Sequence, residues 1–263
     1  MSSTGSPREA HVAHIERFGI QLQTPDDLII GLAGNPNTGK STVFNALTGL
    51  NQHTGNWAGK TVGSAIGHFH HQQRSFTIVD LPGTYSLLSQ SADEQVARDF
   101  VCFGNPHVTL VVTDATNLER NLNLALQVME VTDRVVVAVN LMDEAKRKGI
   151  RIDIDKLQAE LGVPVMPIAA RSGTGLAELK EMLLQVAIGA VNPTPKPLTY
   201  SEEVERTVAA LLPQVEPLVA GVLRPRWVAL RLIDGDDSVL AALVRYTEER
   251  PTVIQTGKVV VPS

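Results

Sequence analysis

From Leu28 onward the chain alternates short β-branched runs with stretches whose apolar residues recur at helical spacing. The runs Leu28–Ala33, Ser64–His70, Ser75–Val79, Thr109–Thr113, Val135–Asn140 and Val165–Ile168 predict strands. Between them, Ser41–Leu47, Asp93–Phe103, Leu122–Val131, Asp153–Leu161 and Leu176–Ile188 predict helices. Such alternation builds a largely parallel sheet with helices on both faces. The second and third strands are separated only by "HQQR", which predicts a hairpin and one antiparallel edge. The expectation over residues 28–190 is therefore an α/β domain around a mostly parallel six-stranded sheet.

The two ends read differently. Residues 1–27 are polar, with a weak helical hint at Val12, Ile15 and Phe18, and are expected to form a partly disordered extension. After Ala190 comes "VNPTPKPLTY", with three prolines in five residues, a linker or extended strap. Beyond it, Ser201–Leu212, "RPRWVALRLIDG" (opened by Pro225, closed by Gly235) and Asp237–Glu249 predict three helices. Residues 191–263 thus read as a small all-helical C-terminal domain with an irregular tail from Pro251.

Bulk properties narrow the function. The 263 residues are 43% hydrophobic with mean hydropathy +0.03, as in a soluble globular protein. A net charge of −5 and a pI near 5.8 oppose a broad nucleic-acid footprint. Cys102 is the only cysteine, so no intrachain disulfide forms, and its neighbours Phe100, Val101 and Phe103 mark it as a core residue. No apolar run is long enough to span a bilayer, and the N-terminus lacks the apolar core of a signal peptide. A cytosolic chain, or the cytosolic piece of something larger, is expected.

The chemistry is concentrated in a few stretches. "GNPNTGKS" (Gly34–Ser41) satisfies G-x-x-x-x-G-K-[ST] between an apolar strand and a helix. Its backbone N–H groups and the helix N-terminus suit a phosphate, so Asn35, Pro36, Asn37, Thr38, Gly39, Lys40, Ser41 and Thr42 are expected around the nucleotide. Lys40 is expected to bridge the β- and γ-phosphates and Ser41 to hold Mg²⁺. "DLPG" follows a strand, placing Asp80 near the Mg²⁺ shell and the Gly83 N–H near the γ-phosphate. "NLMD" supplies Asn140 and Asp143, and a carboxylate there accepts two hydrogen bonds from guanine that adenine does not offer. "AARSG" resembles a base-contacting loop, with Ala170 and Arg171 as its candidates. Together these predict a P-loop (Ras-like) GTPase fold that binds GTP or GDP with Mg²⁺.

Position 84, after "DLPG", holds threonine where many such proteins carry a water-orienting glutamine. The loop "NQHTGNWAGKTV" (Asn51–Val62) is expected to cover the γ-phosphate, with Thr54 and Thr61 as candidate Mg²⁺ hydroxyls. Trp57 within it is either a plug docking the loop on the core or a contact of the site. His68, His70 and His71 are expected to be solvent-facing strand residues, and His11 and His14 lie in the polar extension.

Taken together, "GNPNTGKSTVFNALTG", "GNWAGKTV", "VDLPGTYSL", "DEQVARDF", "VVTDATNLERNL" and "LMDEAKRKGIRIDIDKLQAELGVPVMPIAARSGTG" resemble the cytosolic G-protein region of the FeoB ferrous iron transporters. The resemblance runs from about residue 28 to 180, and the helical part fits that family's helical domain in position and size. It implies a regulatory GTPase domain on the cytoplasmic face of the bacterial inner membrane, acting on a membrane-spanning transporter region. Small accessory iron-transport proteins and a homo-oligomer are compatible partners. It further implies K⁺ beside the phosphates, held by Asn37 and the carbonyls of Gly55 and Trp57, with Thr61 as the Mg²⁺-binding threonine. K⁺ and backbone groups would then replace the missing glutamine, leaving Lys40, Asn37, Thr61 and Gly83 as the catalytic set. Two other readings compete: a soluble RNA- or ribosome-associated GTPase, and a nucleotide-binding switch without turnover. Residues 172–263 hold nine Lys/Arg against 11 Asp/Glu, a poor clamp for RNA.

Overall fold

Strand β1 (Leu28–Gly34) is buried at every position, because its side chains alternate between two covered faces of one sheet. Ile29 and Ala33 point into one apolar cluster, and Leu28, Ile30 and Leu32 into the other. The computed structural model describes residues 15–50, 52–57, 62–88, 91–219, 222–236 and 238–246. Its sheet has seven strands in the order β2-β3-β4-β1-β5-β6-β7. The others are β2 (Gln52–Asn56), β3 (Gly63–His71), β4 (Arg74–Asp80), β5 (Val108–Asp114), β6 (Val135–Asn140) and β7 (Val165–Pro167). From β4 to β7 the pairings are parallel, while β2–β3 and β3–β4 are antiparallel.

The seventh strand is β2, which corrects the expected six. Its residues "QHTGN" carry no apolar alternation, and backbone pairing to β3 alone makes them a strand. The predicted hairpin forms through a tighter turn than "HQQR" suggests. Gln72 and Gln73 alone span it, with φ of 45° and 63°, as a two-residue turn matching the strand twist requires.

Helices α1 (Lys40–Thr48) and α6 (Leu176–Ala187) cover one face. Helices α2 (Ala92–Phe103), α3 (Leu118–Val131) and α5 (Ile154–Leu161) cover the other. A capping box starts α2, where Ser91 accepts from the Glu94 N–H and the Glu94 carboxylate from the Ser91 N–H. A short helix, α4 (Met142–Arg147), follows "NL" directly and is too brief to show a period in sequence. Helices α7 (Glu202–Val219), α8 (Pro225–Ile233) and α9 (Ser238–Tyr246) form the C-terminal bundle, whose core is continuous with that of α2 and α3.

Helix α7 runs past the predicted end at Leu212, through Pro213 and Pro217. Both prolines are exposed and lie four residues apart on one face, so the carbonyls they leave unpaired meet water. Among the described residues no helix is long and apolar enough to cross a membrane.

The prolyl strap is fixed rather than loose. Thr194 and Lys196 donate to the carbonyls of Gly162 and Leu161 (both 3.0 Å) at the end of α5. At its far end the Tyr200 hydroxyl donates to Glu130 on α3 (2.8 Å). Arg226 grips both carboxylate oxygens of Glu205 (2.6 and 2.7 Å) and the Leu198 carbonyl. Those bonds, with the Tyr200 N–H, hold the Glu205 carboxyl down to about 2, against an ordinary 4.5. A depressed carboxyl stabilises the fold above its ordinary value, and that stabilisation fades as pH falls toward the folded value. Denaturant midpoints are therefore expected to drop between about pH 5 and about pH 2, and Glu205→Gln to flatten that limb. An unchanged slope in the variant would contradict this role for the pair.

The segment before β1 also departs from expectation. From Ile15 on it is packed: Ile15, Phe18 and Ile20 are buried in the core beside α2. Their spacing shows only a single turn of apolar residues, too little for a sequence pattern to separate from chance.

Candidate nucleotide site

Parallel strands end together, and here the C-terminal ends of β1, β4, β5 and β6 bring Gly34, Asp80, Asp114 and Asn140 to one edge of the sheet. Strand β1 is flanked by β4 on one side and β5 on the other, so connections depart in both directions and leave a crevice above it. The loop from Gly34 to Gly39 lies in that crevice. Gly34 packs so closely on β5 that an added Cβ would stand 2.8 Å from the Val112 carbonyl. Gly39 has φ of 78° and no room for a side chain against Asn140.

Helix α1 begins directly after Gly39 with no side-chain cap and no acidic residue in its first turn. Its first N–H groups therefore open toward the crevice, an arrangement suited to an anion. Asn35 is buried, yet neither atom of its side-chain amide has a partner among the described residues. Such a group is costly unless a ligand or water completes it. Lys40 pairs with Asp80, the one carboxylate in reach of its ammonium among the described residues. Burial raises the Asp80 carboxyl above its ordinary value, and Lys40 offsets only part of that rise. An ammonium and a carboxylate held together beside open N–H groups fit a phosphate and a divalent cation, one charge for each. Ser41 and Thr42 are exposed at the same helix end.

The segment from Asp80 to Leu88, which carries "DLPG" (the second switch segment), closes over this loop. Gly83 stands against Pro36, with an added Cβ at 3.5 Å from its nitrogen, and the Thr84 N–H reaches the Gly34 carbonyl at 3.4 Å. Thr84 is buried, and its hydroxyl donates to the Ser86 carbonyl (2.7 Å). That hydroxyl shapes the turn and is not free to act on water. The Gln127 side chain accepts from the Leu87 N–H (2.7 Å) and ties the segment to α3, a contact no motif announces.

At the other end of the crevice Asn140 is almost wholly buried and joins three pieces. Its Nδ2 donates to the Thr38 carbonyl (3.0 Å), and its Oδ1 accepts from the Ala170 N–H (3.1 Å). The Ala170 N–H, expected to face a base, is thus already engaged. Leu141 takes φ of 63° and turns the chain so that Asp143 falls in the first turn of α4. Asp143 is half exposed, held only loosely by Arg147 at 3.9 Å. Arg171, next to Ala170 in the chain, is exposed on a loop bridged from Ala169 to Thr174.

The described part of the "NQHTGNWAGKTV" loop, Gln52–Trp57 (the first switch segment), is not at the phosphate loop. Strand β2 is the sheet edge, three strands from β1, which puts the Gly55 backbone roughly 14 Å away across the sheet. The structure therefore does not bring Gly55 and Trp57 to Asn37. Trp57 is the plug: it is buried against Phe100 and Phe18. Thr61 lies outside the described residues, as do His11 and His14. Asn37 is exposed with φ of 68°, a conformation asparagine tolerates.

The histidines divide. His68 is buried, against expectation, and shares a chain of contacts through Thr77 to Asp27 (3.1 and 2.7 Å), while burial lowers its pKa. His71 meets Glu181 of α6 at 2.9 Å, and His70 is exposed. Among the described residues no three His, Cys, Asp or Glu side chains could hold a metal ion together. Cys102 is buried, and burial pushes its thiol up, as a core residue would have it.

Comparison with known proteins identifies the family and the fold. The family described as "Ferrous iron transport protein B" matches residues 28–183, and the "FeoB cytosolic helical domain" matches residues 200–258. The Fe(2+) transporter FeoB of Escherichia coli K12 is 41% identical over 213 residues, covering 80% of this chain and 27% of the relative. The chain thus spans about a quarter of that relative's length. The cytosolic domain of the T. maritima FeoB iron transporter in GDP form I superposes with TM-score 0.75 at 35% identity, covering 88% of this chain and 91% of the other. Its GMPPNP form gives 0.75 at 35% identity, covering 87% and 92%.

Proposed function

The chain belongs to the ferrous iron transport protein B family, and from that premise we propose that it binds and hydrolyses GTP as the cytosolic regulatory part of a bacterial Fe²⁺ transporter. The observation that carries this reading is the two-ended crevice. At one end Lys40 and Asp80 sit beside the uncapped α1, and at the other Asn140 holds the base-side loop to the phosphate-side loop. The similar T. maritima domain was solved in GDP and GMPPNP forms, ligands of the kind such a crevice fits.

In this reading the Lys40 ammonium leaves Asp80 for the β- and γ-phosphate oxygens, and the N–H groups of Asn37 to Ser41 face the same oxygens. Asp80 and the Ser41 hydroxyl would hold Mg²⁺, with Thr61 arriving from the first switch, and Asn37 would hold K⁺ with the carbonyls of Gly55 and Trp57. These cations supply positive charge opposite the charge that develops on the transferring phosphoryl group. The Gly83 N–H meets the γ-phosphate, and backbone groups of the switches orient the water, since Thr84 is committed to Ser86. Asp143 selects guanine. Closing the site requires β2 to leave β3, carrying Gly55 and Trp57 toward Asn37.

Iron is the cargo of the membrane-spanning region, which acts with this chain at the cytoplasmic face of the inner membrane. Small accessory iron-transport proteins and further copies of the chain are compatible partners, and nucleic acid is not.

Hydrolysis of GTP by the purified chain is expected to be about tenfold faster in KCl than in NaCl, and Asn37→Ala to abolish that difference. Equal rates in both salts would remove the K⁺ role of Asn37. No hydrolysis in either salt would leave a binding switch in place of an enzyme.

A further inference from the structure

The chain holds six Phe, two Trp and three Tyr, and five of these rings meet at one point away from the nucleotide crevice. Phe18 of the N-terminal segment is at the centre. It stacks on Tyr246 of α9 (centroids 4.9 Å apart, planes 9° apart) and meets Phe100 of α2 edge-on at 5.4 Å. It also meets Trp57 of the first switch segment edge-on at 6.2 Å. Trp57 touches Phe100 at 5.7 Å, and Phe103 stacks on Tyr246 at 5.1 Å. One turn of the N-terminal segment therefore joins a switch, the helix after the second switch, and the C-terminal bundle. Arg17 strengthens the join by donating to the Tyr246 carbonyl at 2.9 Å.

The hold on Trp57 is of a particular kind. Its backbone N–H bonds to the Val62 carbonyl at 2.9 Å, but its indole N–H is buried with no acceptor among the described residues. Apolar packing, with the Phe18 and Phe100 rings in it, keeps that indole docked, and it must outweigh an unsatisfied donor. The docked position also keeps β2 on the sheet edge, far from the phosphate loop. The segment is held along β2 by its pairing with β3 and at its end by Trp57, whose docking carries a standing penalty.

We propose that residues 15–20 form an autoinhibitory clasp: Phe18 holds Trp57 in the core, keeps the first switch segment open, and links its release to the seating of α9 through Tyr246. This rests on the nucleotide-switch reading of the crevice. When the switch closes, Trp57 leaves and Phe18 loses one of its three supports, which loosens the Phe18–Tyr246 stack. Coupling of this sort is reciprocal, so displacing α9 favours closure just as closure frees α9. The clasp thus links the nucleotide crevice to the C-terminal bundle within this chain.

The test uses the full chain carrying Trp227→Phe, which leaves Trp57 as its one indole. In the nucleotide-free state Phe18→Ala is expected to shift Trp57 emission to longer wavelength as the indole meets water. It is also expected to tighten GMPPNP binding about five- to tenfold, the factor one aromatic pair supplies, with GDP affinity unchanged. Tyr246→Ala is expected to act in the same direction and, combined with Phe18→Ala, to add less than its single effect. Unchanged emission and unchanged GMPPNP affinity in a folded Phe18→Ala protein would overturn the clasp. Should circular dichroism show that variant unfolded, Phe18→Leu keeps the apolar volume and is judged by the same two readings. Wild-type chain that binds neither GDP nor GMPPNP would overturn the nucleotide reading and the clasp with it. Intact GDP binding without a response at Phe18 would overturn the clasp alone.

Discussion

Replacing Asp143 by asparagine is expected to weaken GDP binding by about 100- to 1000-fold and to create affinity for xanthosine diphosphate. Guanine offers two donors on one edge, N1–H and the 2-amino group, and a carboxylate accepts both. Asparagine sets a donor against a donor there, whereas xanthine carries an oxygen at that carbon and accepts the amide. Two hydrogen bonds to a charged acceptor are worth about 1.5–3 kcal/mol each, about 3–6 kcal/mol together; asparagine keeps one oxygen acceptor, so about 3–4 kcal/mol of that is expected to be lost, which gives the factor. The structure isolates the effect. Asp143 is half exposed at the start of α4 and only loosely paired with Arg147, so its charge contributes little to the fold. Calorimetric titration of both diphosphates into both proteins checks it. GDP affinity within twofold of wild type would mean that the base binds elsewhere.

Asn140→Ala is expected to act on stability as well as on binding. The substitution leaves the Thr38 carbonyl and the Ala170 N–H without partners, both on buried residues. Each orphaned group costs about 1–3 kcal/mol, so the variant is expected to lose about 2–6 kcal/mol in urea denaturation. The same amide fixes the phosphate loop relative to the base loop. The variant that folds is therefore expected to bind GDP poorly even with Asp143 intact. A loss under about 1 kcal/mol would show that the two loops are positioned by other contacts.

These two residues also show why some of the molecule was legible in sequence and some was not. Asn140 and Asp143 follow a β-branched run, and Lys40 follows a glycine loop after another. The order of those motifs along the chain fixes a parallel sheet with its functional ends on one side. The buried runs of β1, β5 and β6 carry that reading, because only a strand covered on both faces is apolar throughout.

What the sequence did not disclose lies where backbone bonds or distant contacts decide the structure. Strand β2 has no apolar pattern and exists by pairing with β3. The extension of α7 past Pro213 depends on that proline facing water, which depends in turn on how the bundle packs. Phe18 stands in a polar context, and its partners Trp57, Phe100 and Tyr246 lie 39, 82 and 228 residues away in the chain. The reading of Trp57 as a plug was open in sequence, and contact with Phe18 and Phe100 decides it. His68 was expected to face solvent because alternation alone does not reveal which face of an edge hairpin is covered. The residues around Asp27 cover it.

The central claim is that this crevice recognises a guanine nucleotide, and binding tests it more directly than turnover does. The measurement is calorimetric titration of the full chain with GDP and, separately, with ADP, each in the presence of Mg²⁺. The account predicts saturable GDP binding at one site per chain, with ADP at least about 100-fold weaker, since adenine lacks the two donors that Asp143 accepts. Equal affinity for the two diphosphates, or binding of neither, would contradict it.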